Sequence, residues 1–192
     1  MTNEEYEKLK KPYGGSLQTT REGRAIPRPL TTRHSMHLVL RSTKARGALS
    51  FTKPKNKKTI EAIVQKFSRK YSITIITMAI VGNHMHLQLK LKYKEHYNAF
   101  IRATTAAIAM AITKASRINP MKEKFWDRRP FSRVAIGIKA FHRLKNYIAI
   151  NQLEGCGNTR AEARFIIDWR KAQEEDWATL RRAGVSDADF VP

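Results

Sequence analysis

The chain has 192 residues, 42% of them hydrophobic, with 37 Lys and Arg against 16 Asp and Glu for a formal charge of +21. That length suits one domain of ordinary size with extensions, and the charge points to a polyanionic partner, nucleic acid above all. The single cysteine, Cys156, excludes an intrachain disulfide. The N-terminal stretch lacks the apolar core of a signal peptide, and the longest weakly apolar run, "AAIAMAI" at 106–112, is too short to span a bilayer. The expected setting is reducing and cytoplasmic, beside the nucleoid.

The elements follow in chain order. Residues 1–33 read as a basic arm: Pro12, Gly14, Gly15, Gly23, Pro27 and Pro29 interrupt it, and no apolar periodicity runs through it. "SMHLVLRS" (35–42) reads as a strand, followed by a basic loop. Ile60, Ile63, Val64 and Phe67 give 57–71 a helical period. "SITIITMAIVG" (72–82), rich in Ile and Thr, reads as a strand. "HMHLQLKLK" (84–92) alternates Met85, Leu87, Leu89 and Leu91 with His84, His86, Gln88 and Lys90, the pattern of a strand with one apolar and one polar face. Gly82-Asn83 between these two strands predicts a hairpin. Residues 94–117 read as a long helix, 125–137 as an aromatic, basic strand with Pro130 at a bend or edge, and 138–155 as a helix ending in Gly155. A last amphipathic helix is expected over 159–184, around Phe165, Ile166, Trp169 and Trp177.

The order β-α-β-β-α-β followed by a helix predicts an α+β fold. It is a ferredoxin-like split βαβ with a four-stranded antiparallel sheet and two helices on one face. The expected divisions are an arm (1–33), a domain (34–153) and a C-terminal helical tail (154–192). The tail carries 6 basic and 8 acidic side chains, so the positive excess belongs to the first 153 residues.

Chemistry concentrates in two places. His84 and His86, two apart on a strand, point to the same side and can converge on one metal ion. Tyr147 and Asn151, four apart in "NYIAINQ", share a helix face; the asparagine offers a carbonyl oxygen and the tyrosine a phenolic one. Each feature also has an ordinary reading, as alternating surface histidines or as a half-buried tyrosine.

Taken together, "NHMHLQLK" after a strand, a long helix, "FWDRRPFSRVAI" and "YIAIN" resemble the single-tyrosine HUH transposases of the IS200-like family. "YIAIN" and the "RPL" at 28–30 resemble the REP-associated tyrosine transposase subgroup more narrowly. The resemblance spans about residues 34–153. It implies His84, His86 and Asn151 as ligands of a divalent metal, Mg²⁺ or Mn²⁺, and Tyr147 as the nucleophile on a catalytic C-terminal helix. The implied reaction is a transesterification on single-stranded DNA. The tyrosine forms a 5′-phosphotyrosine bond and frees a 3′-hydroxyl, beside a hairpin. Two departures stand out: Val81-Gly82 occupies the place of the family's Met-Pro, and Gln152 rather than proline follows Asn151. The metal-facing amide is therefore Asn151 or Gln152, with helical geometry favouring Asn151.

Candidate DNA-binding residues are Arg41, Lys44 and Arg46 in "RSTKARG" and Arg128, Arg129 and Arg133 in "DRRPFSR", the latter beside Trp126 and Phe131. Arg21, Arg24 and Arg28 in the arm could also reach DNA. His37 reads equally as a site residue and as an ordinary strand histidine, and it is not among the candidates. The resemblance leaves a monomer and a homodimer, and cis and trans action of the tyrosine, open. One rival is an RNA-recognition module, which needs aromatics on its first and third strands; "SMHLVLRS" and "HMHLQLKLK" have none. The other is a domesticated, non-catalytic transposase that regulates by binding DNA hairpins.

Overall fold

The computed structural model describes residues 2–15, 27–116 and 118–182, with side chains up to 175. The elements are α1 (Asn3–Lys10), β1 (Ser35–Arg41), α2 (Pro54–Lys70), β2 (Ile73–Val81), β3 (His84–Leu91), α3 (His96–Thr113), β4 (Phe131–Ala135), α4 (Gly137–Gly155) and α5 (Arg160–Arg182). The four strands form one antiparallel sheet in the order β2-β3-β1-β4. This is the expected split βαβ.

Period two along the strands separates two faces. Met36, Leu38 and Leu40 of β1 and Met85, Leu87, Leu89 and Leu91 of β3 form one face, with almost no solvent exposure. Helices α2 and α3 cover it through Ile60, Val64, Phe100, Ile108 and Ile112. Each such side chain contributes roughly 1.5–3 kcal/mol by leaving water. The β2–β3 hairpin closes through Gly82 and Asn83, with Gly82 at φ 45° as the first residue of a two-residue turn. A bulge between Ile75 and Thr77 shifts the β2–β3 register by one residue.

The other face is not open to solvent, as the alternation in β3 suggests. There α4 lies across it, so His86 is 5% exposed and Gln88 fully buried. The Gln88 side chain donates to the Phe141 carbonyl of α4 (3.1 Å) and to Ser35 Oγ (3.0 Å). At its far end α4 reaches the free edge of β2, where the Ile80 N–H donates to Gln152 Oε1 (3.2 Å). Gly155 permits that approach: a Cβ there would lie 2.5 Å from the Ile80 carbonyl oxygen. The helix thus also covers an otherwise exposed sheet edge.

Other expectations are corrected in detail. The arm contains a helix, α1, closed by a reciprocal capping box between Thr2 and Glu5. Tyr13 then pairs with Ser132 on the outer edge of β4 through two backbone hydrogen bonds (2.9 and 2.7 Å). The strand expected over 125–137 shortens to 131–135, because Pro130 has no N–H to continue the ladder. Helix α2 begins at Pro54, three residues early, with proline in the first turn where no N–H is needed. Helix α5 packs on α4 through Ala163 and Ile167, while Phe165 and Trp169 are exposed; the side chain of Trp177 lies outside the described residues. Among the described residues no helix is long and apolar enough to cross a membrane.

Candidate active site

The sheet face under α4 brings imidazoles from two adjacent central strands together. In the β1–β3 ladder Arg41 stands opposite His84, Val39 opposite His86 and His37 opposite Gln88. The three histidines therefore share one face, with His37 diagonal to His86. The His84 and His86 ring centroids are 4.9 Å apart. Those of His37 and His86 are 5.2 Å apart and nearly parallel, with His37 Nε2 3.0 Å from His86 Nδ1.

Their surroundings keep these rings neutral. Burial first, then the nearby His37 and His84, pull the His86 pKa down to about 3. Burial, and after it Arg133, pull His37 down to about 4. His84 is lowered by burial and by Arg41 across the ladder. A neutral imidazole has a lone pair to offer, which suits a metal ligand.

Helix α4 places Tyr147 over this cluster. Its ring is edge-on to both His86 (5.5 Å, 89°) and His37 (5.8 Å, 77°). The tyrosine is 39% exposed, and among the described residues no hydrogen bond engages its hydroxyl. One helical turn on, Asn151 is buried, and its Nδ2 donates to the Tyr147 carbonyl (2.7 Å). That bond turns the amide nitrogen back along the helix and leaves Oδ1 without a hydrogen bond among the described residues. The Gln152 carbonyl oxygen is engaged by Ile80.

The donor set fits a divalent cation on two observations. The His86 Nε2 is buried with no partner among the described residues. Both metal-candidate histidines have Nδ1 held by a neighbour: His86 by His37, and His84 by Asn83 Oδ1 at 3.1 Å. In each ring Nε2 is thus the nitrogen left for a ligand, the usual arrangement for a metal-binding histidine. Among the described residues no group of three or more His, Cys, Asp or Glu is placed to hold a metal. The Asn151 oxygen, one helical turn from Tyr147 on the same face of α4, is a further oxygen donor on the helix that covers the histidines.

The matching family model, "Transposase IS200 like", covers residues 31–151. The chain belongs to the IS200-like transposase family. A REP-associated tyrosine transposase solved with a REP hairpin has the same fold at 15% identity. The superposition has a TM-score of 0.54 and spans 67% of this chain and 72% of that one. A candidate transposase of Deinococcus radiodurans R1 aligns with 13% identity over 68% of this chain and 97% of its own, with a TM-score of 0.40. No curated protein matches the chain.

In this IS200-like transposase the basic residues named from the sequence divide. Arg41, Arg128 and Arg129 line one cleft of about 630 Å³ with Val39, Thr43, Asp127 and Phe131. The cleft adjoins the histidines, since Val39 and Arg41 are the cross-strand partners of His86 and His84. Arg133 stands opposite His37 on β4. Lys44 instead pairs with Glu123 beside a separate hollow, and Arg46 donates to the Thr43 carbonyl (3.0 Å). Asp127 anchors the cleft wall: it accepts from the Thr43 N–H (2.7 Å) and lies 3.8 Å from Arg41.

Two expectations for aromatic and arginine side chains change. Trp126 faces the core, donating its indole N–H to the Thr105 carbonyl (3.0 Å) and packing on Phe51; Phe131 does line the cleft. Arg28 is used internally. Its guanidinium donates to Ser132 Oγ (2.5 Å) and the Pro130 carbonyl (2.9 Å) and lies over the Tyr13 and Tyr97 rings, clasping the arm to β4. Arg21 and Arg24 lie outside the described residues. The residue that sequence reading left aside is His37. Its signal was available, because a strand neighbouring β3 must present alternate residues to the same face.

Proposed function

We propose that this transposase is a metal-dependent single-strand DNA endonuclease and strand transferase, with Tyr147 as nucleophile and His84, His86 and Asn151 as metal ligands. The observation that carries this reading is the position of Tyr147. It is half-exposed, its hydroxyl makes no hydrogen bond among the described residues, and it stands over a neutral histidine cluster in which the buried Nε2 of His86 is unengaged. A bound Mg²⁺ or Mn²⁺ would polarise the scissile phosphate and offset charge on its oxygens. Manganese, which tolerates imidazole better, is the expected tighter binder.

The chain's own residues supply the rest. The Tyr147 oxygen attacks phosphorus, the bond from phosphorus to the 3′-oxygen breaks, and that oxygen takes up a proton to leave a 3′-hydroxyl. The 5′ side stays on the enzyme as a phosphotyrosine, whose phosphodiester is about as energetic as the one broken. A second 3′-hydroxyl can therefore displace the tyrosine without a nucleotide cofactor. Arg41, Arg128 and Arg129 along the cleft and Arg133 on β4 are suited to hold the strand's phosphates, with Phe131 offering a ring to a base. Lys44, already paired with Glu123, and Arg46, held on the Thr43 carbonyl, are the weaker candidates. The REP hairpin held by the structural relative supports a hairpin beside the cleavage site here.

The test is covalent trapping. Labelled single-stranded DNA from the flanks of the chain's own gene, incubated with Mn²⁺ and run on a denaturing gel, is expected to give a protein-linked band that needs Mn²⁺, Tyr147 and His86. Tight binding to a flanking hairpin with no adduct on any strand would identify a DNA-binding regulator instead.

A further inference from the structure

His37 belongs to no ligand set drawn above, yet it makes the closest polar approach to His86. We propose that His37 is a positioning residue for the metal site: it accepts the Nδ1 proton of His86 and so fixes the tautomer that leaves His86 Nε2 as a lone pair. This rests on the reading of His84 and His86 as metal ligands.

Proton accounting selects this tautomer. A neutral imidazole carries a single N–H. The 3.0 Å approach of His37 Nε2 to His86 Nδ1 needs one proton between them. If His37 supplied it, the His86 proton would sit on Nε2, where it would be a buried donor with no partner among the described residues and could bind no cation. In either tautomer Nε2 is buried without a hydrogen bond among the described residues, and only its lone-pair form is relieved by a cation. If His86 supplies it, Nε2 is left as a ligand atom and His37 carries its own proton on Nδ1. His84 is arranged alike, its Nδ1 against Asn83 Oδ1, so both ligand rings are held by an outer acceptor.

The placement of His37 suits that task. It sits on β1, a central strand paired on both sides, opposite Gln88 on β3 and Arg133 on β4. Its ring lies nearly parallel to that of His86 (16°), edge to edge across the hydrogen bond, and is bounded edge-on by Phe131 (6.0 Å) and Tyr147 (5.8 Å), which leaves little freedom to turn. The chemistry of the acceptor matters as well. A carboxylate behind His86 would add negative charge to the site, whereas an imidazole acceptor adds none. With an amide as third ligand, the cation would keep its full double charge for the phosphate.

The experiment measures Mn²⁺ binding by the full chain, without DNA, by calorimetry and by the free-ion electron paramagnetic resonance signal. The proteins are wild type, His37→Leu, His37→Gln and His86→Ala. Leucine fills the space without an acceptor; glutamine offers a carbonyl oxygen to the same proton. Expected are a Kd raised about 10–100-fold by His37→Leu, recovery to within a few-fold of wild type by His37→Gln, and loss of binding in His86→Ala. A His37→Leu protein that binds Mn²⁺ like wild type, while His86→Ala does not, overturns the role of His37 and leaves the metal site standing. Wild type that binds no Mn²⁺ overturns both. If His37→Leu does not fold, nitrogen-15 spectra of the imidazoles in wild type decide. His86 protonated on Nδ1 supports the proposal, and protonation on Nε2 refutes it.

Discussion

Tyr147 and Asn151 are joined through the helix that carries both: the Asn151 side-chain N–H donates to the Tyr147 backbone carbonyl at 2.7 Å. One hydrogen bond thus orients the amide whose oxygen is the proposed third ligand relative to the residue proposed as nucleophile. Asn151→Ala removes the oxygen and is expected to weaken Mn²⁺ binding by roughly 10-fold or more. Gln152→Ala is expected to leave Mn²⁺ affinity within about twofold of wild type, because its oxygen serves Ile80. Titration of both variants with Mn²⁺ distinguishes the two amides; equal losses would place Gln152 at the metal.

Tyr147→Phe should abolish the covalent adduct, a loss of at least roughly 1,000-fold, because no other oxygen is offered at that position. The hydroxyl makes no hydrogen bond among the described residues, so the melting temperature should stay within a degree or two of wild type. An adduct that persists in this variant would show that another residue attacks, and peptide mapping of the linked strand would identify it.

Gly155 lies where a side chain has no room: a Cβ would stand 2.5 Å from the Ile80 carbonyl oxygen, a backbone atom that cannot rotate away. Gly155→Ala should therefore displace the end of α4 from β2 and destabilise the chain by about 1–3 kcal/mol. Urea denaturation measures the loss, and adduct formation should fall with it, since the same helix carries Tyr147. Unchanged stability would mean that α4 does not dock at β2 as described.

The buried histidines give the metal-free protein a definite acid sensitivity. His37 and His86 have folded-state pKa values of about 4 and about 3, below the ordinary 6.5. As pH falls through about 6.5 the unfolded chain takes up protons that the folded chain refuses, so stability drops from pH 6.5 and levels off only below about 3, where both histidines are protonated in the fold as well. For His37 the loss across that window is at most about 3 kcal/mol. Thermal melts of wild type and His37→Leu at pH 8, 6 and 4.5 measure it; the variant should show a shallower decline. Parallel declines would mean that His37 is not neutral in the fold.

Arg41, Arg128 and Arg129 line one cleft, and removing any one of these charges should reduce the salt dependence of single-strand binding. For each arginine changed to alanine, the slope of log K against log salt is expected to fall by about 0.7. Lys44→Ala should change it less, because Lys44 already faces Glu123. Fluorescence anisotropy from 50 to 300 mM salt tests this, and a larger effect from Lys44 than from Arg129 would move the DNA path to the other hollow.

The order of strands and helices, the Gly82-Asn83 hairpin and the common side of His84 and His86 were legible in the sequence, because periods of 2 and 3.6 are local and backbone geometry enforces them. So was the spacing of Tyr147 and Asn151, fixed by one helical turn. Gly82 announced its turn because a positive φ costs glycine little. What composition could not give was the occupant of the polar face of β3. A strand of alternating character faces either water or another element, and local sequence does not choose between them.

The tertiary structure made that choice. Packing α4 across the sheet turned a surface histidine pair into a neutral one, with His86 buried and His84 partly so, and strand pairing set His37 behind His86. It also engaged Arg28 and Trp126 with internal partners, where charge and aromaticity alone had given them to DNA. These decisions rest on meetings between residues tens of positions apart. Their energies come from burial and from hydrogen bonds that exist only once the chain has closed, so the sequence determined the elements and the candidate chemistry, and the packing determined which groups meet.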